Sequence, residues 1–554
     1  MINNEADLKE ENRDIMALPS DSVLLKCRNG IFIGKAIDGI EEYKGIPFAL
    51  PPVGKRRWKA PSPAPDSSEL REALVFGKSP IQTECSSERA SYYKQGEDCL
   101  YLNIWMGDKQ RYGNKRPVMV FLHGGAYGWG GTSDPLYDGM NFAKAHPEVV
   151  LITTAYRTGI MGFIDLSYIK GGEDFPDAPN LGILDQIEAL RWIRKNCESF
   201  GGDPENITVF GESAGAGSAS LLPVIPQAAG LFRRIIAESG SVALTYSKAQ
   251  CKGLTDRLIA ESGAVHMDDL MALSEEKLKS LNEALNEYIN FPQRDGKLIP
   301  LNPYREYIAG KTRNVDMLIG TNAHEANYWI GEVGGIVPFR FSVPVKFEND
   351  LRIMQWEDRR RVNEFMRTRK GSKIWRMSKF YTEVMFRLPA VLQAAEHSAN
   401  GGKAYMYYWK VRSAIPYYRA CHAIELAYVF GNTDETIFTG KPVDPGYSKM
   451  VQQMWVNFAT CGDPGLPELN WPAYDKKKRS TMMFTKKPYV EDDPRSSSRK
   501  LLYPLLKYSI NPNYSDLDLN THFIRRVIGI GALLSAGVTV GLAALIVALI
   551  RKLK

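Results

Sequence analysis

Residues 207–220 read Ile-Thr-Val-Phe-Gly-Glu-Ser-Ala-Gly-Ala-Gly-Ser-Ala-Ser. The apolar run Ile207–Phe210 predicts a short buried strand, and the small residues after Ser213 predict a tightly packed helix. Between them stands Gly-x-Ser-x-Gly, the sequence form of a nucleophile elbow, in which a sharp turn presents a serine hydroxyl above a sheet. A glycine-rich turn in any α/β protein can show the same five residues, so the rest of the chain has to supply partners for Ser213.

Short apolar runs alternate with helical patterns along most of the chain, which indicates a large, mostly parallel central sheet covered by helices. The predicted strands are Val118–Leu122, Val149–Ala155, Ile207–Phe210, Arg234–Ala237, Val315–Ile319 and Ala404–Val411. The apolar spacing from Ile183 to Ile193 predicts an amphipathic helix between two of them. No low-complexity linker or internal repeat appears before residue 500, so we expect one α/β domain over residues 22–505.

The charge of the chain is concentrated near its C-terminus. The formal net charge of the 554 residues is +7, and five of the positive charges flank an apolar run. These five are Arg525, Arg526, Arg551, Lys552 and Lys554. The rest of the chain is nearly balanced, at about +2, which argues against a nucleic acid as a partner.

The apolar run itself, Val527–Ile550, contains 24 residues and no charge. As a helix it would be roughly 36 Å long, enough to cross a hydrocarbon core of about 30 Å with some tilt. The sequence therefore predicts a C-terminal transmembrane helix that anchors the protein to a membrane. A linker over residues 506–526 precedes this helix, and a basic tail, residues 551–554, follows it.

The N-terminal extension, residues 1–21, is polar and acidic and has no apolar segment of the kind found in secretory signals. We therefore expect the catalytic domain on the cytosolic side, while the identity of the membrane stays open. Seven cysteines are scattered without metal-ligand spacing, so no metal site or cofactor is expected. Cys85 and Cys99 lie close enough in sequence to close a short loop if the chain were exported.

A serine nucleophile needs a base, and the base needs a third group that holds its tautomer. In proteins with this kind of elbow, the chain order is serine, acid, histidine. The histidines far enough beyond Ser213 are His397, His422 and His522. His522 lies beside the apolar tail, and His397 falls in a helical pattern, where we expect it on the surface. His422 lies in a loop after a predicted strand, and we take it as the base.

The acid is predicted by its place after a strand. Glu325 follows Val315–Ile319 at the carboxyl end, where the chemistry of parallel sheets collects. Asp316 stands at the opposite end of the same strand and is excluded for that reason. His324 is interpreted as an incidental loop residue.

Backbone N–H groups have to stabilise the oxyanion that forms during acyl transfer. Ala214, directly after the nucleophile, supplies one donor. The turn His-Gly-Gly-Ala at residues 123–126 ends a predicted strand and is similar to the HGGG-type donor loop, so Gly125 and Ala126 are the other candidates.

Together these segments resemble the type-B carboxylesterase/cholinesterase family of α/β-hydrolases over about residues 30–484. The motifs are Tyr-Lys-Gly-Ile-Pro-Phe-Ala at 43–49, Pro-Pro-Val-Gly at 51–54, Glu-Asp-Cys-Leu-Tyr-Leu-Asn at 97–103, Asn-Leu-Gly at 180–182, Phe-Gly-Gly-Asp-Pro at 200–204, His-Ala-Ile-Glu at 422–425 and Asn-Phe-Ala at 457–459. The loops most resemble bacterial para-nitrobenzyl-esterase-type members. The resemblance implies an α/β-hydrolase fold, a Ser213–Glu325–His422 triad, and oxyanion donors at Gly125, Ala126 and Ala214.

One departure from the family pattern narrows the function. The segment between Cys85 and Cys99 is short and lacks the tryptophan that binds choline in cholinesterase-like members. We therefore expect a serine carboxylesterase acting on small esters. Hydrolysis of lipid esters or amides by the same mechanism is an alternative, and a non-catalytic binding role is less favoured because the triad is complete. Tyr127, Trp129, Trp329, Tyr417 and Tyr418 are interpreted either as pocket walls or as ordinary core or rim aromatics. The acyl preference and the oligomeric state are open.

Overall fold

One sheet of thirteen strands runs through the part of the chain that the computed structural model describes, residues 18–82, 91–285 and 291–510. The strands are β1 (Ser22–Cys27), β2 (Asn29–Ile37), β3 (Ile40–Pro47), β4 (Ser67–Glu72), β5 (Tyr101–Gly107), β6 (Arg116–Leu122), β7 (Val150–Thr154), β8 (Gly202–Glu212), β9 (Arg234–Glu238), β10 (Asp316–Asn322), β11 (Ala404–Trp409), β12 (Ser480–Phe484) and β13 (Tyr489–Asp492). Their order is β1-β2-β3-β5-β7-β6-β8-β9-β10-β11-β12-β13, and β4 pairs with β2.

The centre of the sheet, from β7 to β12, is parallel. All six strands predicted from the sequence lie there, which confirms their prediction. The sheet as a whole is mixed, however, because β1, β2, β3, β5 and β7 pair antiparallel and so do β12 and β13. One residue separates β1 from β2 and two separate β2 from β3, and such short turns can join only antiparallel neighbours.

Helices cover the sheet. The α-helices of the described residues are α1 (Lys109–Tyr112), α2 (Met140–Ala145), α3 (Gly159–Gly162), α4 (Leu181–Asn196), α5 (Ala214–Leu221), α6 (Lys248–Ser262), α7 (Met267–Met271), α8 (Glu275–Ala284), α9 (Pro303–Ile308), α10 (Trp329–Glu332), α11 (Ile336–Ile353), α12 (Trp356–Thr368), α13 (Lys373–Tyr381), α14 (Leu388–Ala399), α15 (Leu426–Phe430), α16 (Pro445–Cys461), α17 (Ser496–Leu502) and α18 (Lys507–Ile510). A π-helical turn, Thr382–Arg387, joins α13 to α14. The predicted helix over Ile183–Ile193 corresponds to α4.

The central strands are apolar on both faces because each face packs against a different hydrophobic cluster. In β6, Val118 and Val120 belong to the cluster that contains α4, whereas Met119 and Phe121 belong to the cluster on the opposite face. Successive side chains of a strand point to opposite sides, so a strand buried on both sides needs an uninterrupted apolar run. A third cluster fills the helical segment α10–α13, and its Trp329 lies next to the end of β10.

In the described residues, 18–82, 91–285 and 291–510, no helix is both long and apolar enough to cross a membrane. The predicted spanning segment Val527–Ile550 and the basic tail lie outside these residues, as do residues 1–17 and most of the predicted linker. The predicted domain bounds, 22–505, stay a prediction. The first strand begins at Ser22, and the short helix α18 falls within the segment predicted as linker.

Candidate active site

Ser213 stands alone between β8, which ends at Glu212, and α5, which begins at Ala214. Its backbone has φ 55° and ψ −115°, a region that side-chain-bearing residues rarely adopt. Its N–H donates to the carbonyl oxygen of Glu238 at 2.8 Å, which fixes the turn to the neighbouring strand β9. A Cβ on Gly215 would overlap the carbonyl oxygen of Leu122, so only glycine lets α5 approach β6 this closely. The strand-turn-helix geometry is that of a nucleophile elbow.

His422 and Glu325 form a hydrogen-bonded pair. The His422 Nδ1 group donates to Glu325 Oε2 at 2.8 Å, and both residues are buried. Glu325 begins the turn that follows β10, and His422 lies in the loop between β11 and α15. Their strands are neighbours in the sheet, which is why residues 97 positions apart meet. The Oε1 atom of Glu325 also accepts bonds from the Ser239 hydroxyl at 2.8 Å and the Asn322 N–H at 2.5 Å.

Ser213 and His422 line one cavity at the carboxyl edge of the sheet, together with the predicted donors Gly125, Ala126 and Ala214. Gly125 and Ala126 both have positive φ, 102° and 51°, in the loop that follows β6. The structure therefore brings all six sequence-predicted site residues together: five line the cavity and Glu325 bonds to the histidine.

The match to known proteins agrees with this geometry. Residues 21–501 match the carboxylesterase family. The chain belongs to the carboxylesterase family. It is a carboxylic ester hydrolase with the α/β-hydrolase fold.

Individual relatives cover most of the chain. It is 34% identical over 487 residues to para-nitrobenzyl esterase of Bacillus subtilis (strain 168), which covers 85% of this chain and 96% of that protein. Bile salt-activated lipase of Homo sapiens is 29% identical over 542 residues, 88% of this chain and 69% of that protein. The crystal structure of Geobacillus stearothermophilus carboxylesterase EST55 at pH 6.2 superposes with a TM-score of 0.77 at 33% identity, over 86% of this chain and 99% of that one.

The cavity of this carboxylesterase is mainly aromatic. Its unfilled space, including the opening to solvent, is about 930 Å³. Nine aromatic side chains line it: Tyr93, Tyr127, Trp129, Tyr137, Phe291, Tyr328, Trp329, Phe386 and Phe438. Three of the five aromatic residues considered in the sequence as possible pocket walls, Tyr127, Trp129 and Trp329, therefore line the cavity. Tyr417, in contrast, is exposed and stacks on Trp375, and Tyr418 packs against Gly331.

The carboxylates around His422 set its charge. Burial alone would lower the pKa of His422, but Glu212, Glu325 and Glu425 outweigh burial and raise the pKa to about 9. The charge of Glu212, whose Oε1 lies 3.1 Å from His422 Nε2, and the charge and hydrogen bond of Glu325 at Nδ1 all favour the imidazolium. Burial and the charge of Glu325 raise the pKa of Glu425 to about 7.

Two residues of this network had no predicted role in the sequence. The Ser239 hydroxyl lies between the carboxylates of Glu325 and Glu425, at 2.8 and 3.3 Å. The Nδ2 group of Asn322 donates to Glu425 at 2.6 Å. The sequence signal for Ser239 is its place directly after β9, the strand beside the elbow strand, but a single serine next to glycine is too common to single out.

The other histidines have structural surroundings. His324 is half-buried, and desolvation together with nearby cations such as Arg419 lowers its pKa to about 3, so it is neutral. The prediction that His397 lies on the helix surface is wrong: it is buried and lies 2.9 Å from the Thr312 hydroxyl. It continues the buried stripe of Ala390 and Ala394 along α14, at the i, i+4, i+7 spacing of one helix face.

Asp316 stands at the start of β10, away from the carboxyl edge, and pairs with Arg234 at 3.5 Å. Among the described residues, no group of His, Cys, Asp and Glu side chains is arranged to hold a metal ion.

Proposed function

We propose that this protein is a serine carboxylesterase that forms an acyl-enzyme on Ser213. The observation that carries the proposal is the buried hydrogen bond between His422 and Glu325. His422 lines the same cavity as Ser213, which stands at the strained turn between β8 and α5. A bonded imidazole holds the tautomer that accepts a proton at Nε2, and this is the group that a serine nucleophile requires.

The chemistry follows from these positions. The Ser213 hydroxyl attacks the ester carbonyl carbon while His422 Nε2 takes its proton, and Glu325 stabilises the resulting imidazolium. The N–H groups of Gly125, Ala126 and Ala214 donate to the oxyanion. Collapse of this intermediate breaks the bond to the alcohol, which leaves with the proton from His422. Water then attacks the acyl-enzyme by the same sequence and releases the acid.

The walls of the cavity indicate the substrate class. The aromatic lining favours esters with apolar acyl or alcohol groups, because such groups gain by leaving water. Among the described lining residues, Glu212 and Glu332 are acidic and His422 is the only basic residue. We infer that neutral esters are preferred over esters that carry a carboxylate.

Lipid esters are a second candidate substrate class. The apolar C-terminal run and the similarity to bile salt-activated lipase favour it. A series of para-nitrophenyl esters from acetyl to palmitoyl separates the two. Values of kcat/KM that peak at acetyl or butyryl and fall by octanoyl support a small-ester carboxylesterase, whereas a maximum at long chains supports a lipid esterase.

The localisation is a proposal of its own. Val527–Ile550 is long and apolar enough to anchor the chain in a membrane, and basic pairs border it on both sides. We propose that this segment spans a membrane and that the catalytic domain faces the cytosol.

A fluorophosphonate probe tests the nucleophile directly, because it phosphonylates only an activated serine. The folded full-length protein is expected to take up one probe, and peptide mass analysis is expected to place it on Ser213. Heat-denatured protein, the control, stays unlabelled. A folded sample that takes up no probe, or takes it up at another residue, would overturn the assignment and favour a non-catalytic binding role.

A further inference from the structure

An apolar stripe runs along the exposed side of α11. Val337, Phe341 and Val345 follow one another at intervals of four residues and are 53%, 59% and 45% exposed. Side chains at this spacing lie on one face of a helix. The opposite face of α11 is anchored by Phe339 and Phe347 in the third hydrophobic cluster, so the stripe cannot rotate inward.

Two further large apolar side chains are exposed at the junction of α11 and α12. Ile353 and Trp356 are 44% and 62% exposed, and Trp356 lies in a shallow surface groove beside Leu501. Large exposed aromatic and aliphatic side chains in one contiguous region are typical of a surface that binds an apolar partner.

The same segment is positively charged. Residues 336–376 contain eleven Lys and Arg against five Asp and Glu, a net charge of +6. Arg360 and Arg367 line the groove with Trp356, and the Arg360 guanidinium lies 5.5 Å from the centre of a Trp356 ring. Exposed Arg340 and Arg352 lie on α11 itself. We call Val337, Phe341, Val345, Ile353 and Trp356, with Arg340, Arg352, Arg360 and Arg367, the α11–α12 face.

The described chain ends beside this face. In α18, Lys507 Nζ lies 2.7 Å from Asp358 Oδ2 of α12, and the Tyr508 hydroxyl accepts a bond from the Gln355 N–H at 3.0 Å. Sixteen residues, 511–526, separate this point from Val527 and can span at most about 55 Å. An anchor at Val527–Ile550 would therefore hold the α11–α12 face close to the bilayer, at a high effective concentration.

The face also begins next to the substrate cavity. Trp329 and Glu332 of α10 line the cavity, and the Gly335 N–H donates to the Ile330 carbonyl at 2.7 Å, which closes the turn into α11. Val337 comes five residues after Glu332. The start of α11 therefore follows closely in the chain on a helix that lines the cavity.

We propose that the α11–α12 face lies on the surface of an anionic phospholipid bilayer, with its apolar side chains at the acyl boundary and its arginines on the headgroups. An apolar face bordered by Arg and Trp is the composition of interfacial helices that bind such surfaces. The inference rests on the proposed function for the anchor and for the ester chemistry. The inference adds the orientation of the catalytic domain on the bilayer and the entry route of the substrate. Esters dissolved in the bilayer enter the cavity beside α10.

The test uses the full-length chain with vesicles of phosphatidylcholine, alone or with 30% phosphatidylserine, containing brominated lipid as a quencher. An environment-sensitive fluorophore is placed at Val345→Cys, and a matched control carries it at Val265→Cys, a 77% exposed valine at the start of α7. Both variants contain Cys461→Ser, because Cys461 is the exposed cysteine of the described residues. We expect the fluorophore at 345 to be quenched at least about twofold more than that at 265 on the anionic vesicles.

Charge reversal tests the role of the arginines. The double variant Arg360→Glu/Arg367→Glu is expected to abolish the extra quenching at 345. The control is the double variant Lys477→Glu/Lys478→Glu, which changes two exposed lysines in a turn far from α12 in the sequence, and it is expected to leave the quenching unchanged. Hydrolysis of para-nitrophenyl acetate without vesicles serves as the folding control for all variants. Quenching that is equal on both vesicle types and indifferent to the arginines would contradict the proposal.

Three outcomes separate this inference from the proposed function. Alkaline extraction of the vesicles tests separately whether the tail is inserted. Protein that resists extraction but shows equal quenching at 345 and 265 is anchored by its tail without docking of the face, which overturns the inference alone. If the fluorophore at 345 is already shielded from water in the absence of vesicles, the tail or a second copy of the chain covers the face. That result also overturns the inference. Loss of both extraction resistance and quenching overturns the inference and the anchor, while ester hydrolysis on Ser213 is measured independently.

Discussion

At the scale of single residues, His422 faces two carboxylates from opposite sides of its ring. Glu325 bonds to Nδ1 at 2.8 Å and Glu212 lies 3.1 Å from Nε2. Together with Glu425 they overcome burial and raise the pKa of His422 to about 9, which favours the protonated imidazolium. A general base has to be neutral to accept the serine proton, so kcat/KM is expected to increase as the pH rises through this value.

Glu212→Gln is expected to shift this pH dependence. Removing the negative charge beside Nε2 destabilises the imidazolium, so the midpoint of the kcat/KM profile is expected to move to lower pH by about 1. Profiles for a neutral para-nitrophenyl ester between pH 5 and 10 measure it. Glu332→Gln removes a carboxylate of the same cavity that is not among the main causes of the raised pKa of His422, so this variant should leave the midpoint nearly in place. Equal midpoints for the wild type and Glu212→Gln would show that Glu212 does not set the charge of the base.

Glu325→Gln isolates the role of the acid. The amide keeps the size of the side chain but can no longer stabilise the imidazolium or impose its tautomer, so kcat is expected to fall by about 10²–10⁴ with little change in KM. Steady-state kinetics measure the change, and an unfolding midpoint within a few degrees of the wild type confirms the fold. A kcat within threefold of the wild type would exclude Glu325 from the mechanism.

The residues of the triad are predictable from the sequence because each follows a strand and their chain order is fixed. Glu325 and His422 come after β10 and β11, and parallel neighbours place such positions side by side. The role of Ser239 and the burial of His397 are harder to predict from the sequence. Both depend on which faces of separate elements meet in three dimensions, and no local pattern specifies that.

At the scale of elements, the loop after β6 is held in a strained form. Gly125 has φ 102°, and a Cβ there would collide with the backbone of Trp129. Both Gly125 and Ala126 line the cavity, and a donor loop whose backbone is fixed before substrate binds is what an oxyanion hole requires.

Gly125→Ala is therefore expected to cost both stability and activity. An L side chain in this region costs on the order of 1–2 kcal/mol, and displacement of one oxyanion donor lowers kcat by about 10²–10³. Chemical denaturation and steady-state kinetics measure the two effects. Gly39→Ala, at a positive-φ glycine with open space around it, is the matched control: it carries the backbone cost without the kinetic loss. Similar kcat values for the two variants would contradict the assignment of the loop.

The elements were predictable to different degrees. Strands of the parallel centre are continuous apolar runs because both faces are buried, and six of these seven strands are predicted from the sequence, all except β12. The antiparallel strands β1 to β3 carry charged residues such as the half-buried Glu41 and Lys44 and the buried Glu42 of β3, so their sequence pattern resembles that of loops. The mixed character of the sheet follows from these strands and could not be predicted from the apolar runs alone.

At the scale of the whole molecule, the sheet, the helical segment α10–α13 and the loop after β6 enclose one acidic, aromatic cavity. Two carboxylates and no Lys or Arg are found among its described lining residues. A carboxylate on the acyl group would meet Glu212 and Glu332 in a partly desolvated site, where like charges repel by a few kcal/mol at intermediate dielectric.

We therefore expect kcat/KM for mono-para-nitrophenyl succinate to be at least about tenfold below that for para-nitrophenyl butyrate. The two esters share a leaving group and differ mainly in charge. Glu332→Gln should bring the kcat/KM values of the two esters closer together. High salt should do the same, since salt screens the repulsion. A ratio near one in the wild type would show that the cavity does not select by charge.

Hydrolysis of para-nitrophenyl butyrate by Ser213→Ala, compared with the wild type at equal concentration, tests whether Ser213 is the nucleophile. Turnover is expected to fall to the level of the uncatalysed and residual binding contributions, at least about 10⁴-fold below the wild type, while the unfolding midpoint is unchanged. Turnover within tenfold of the wild type by the folded variant would show that Ser213 is not the nucleophile.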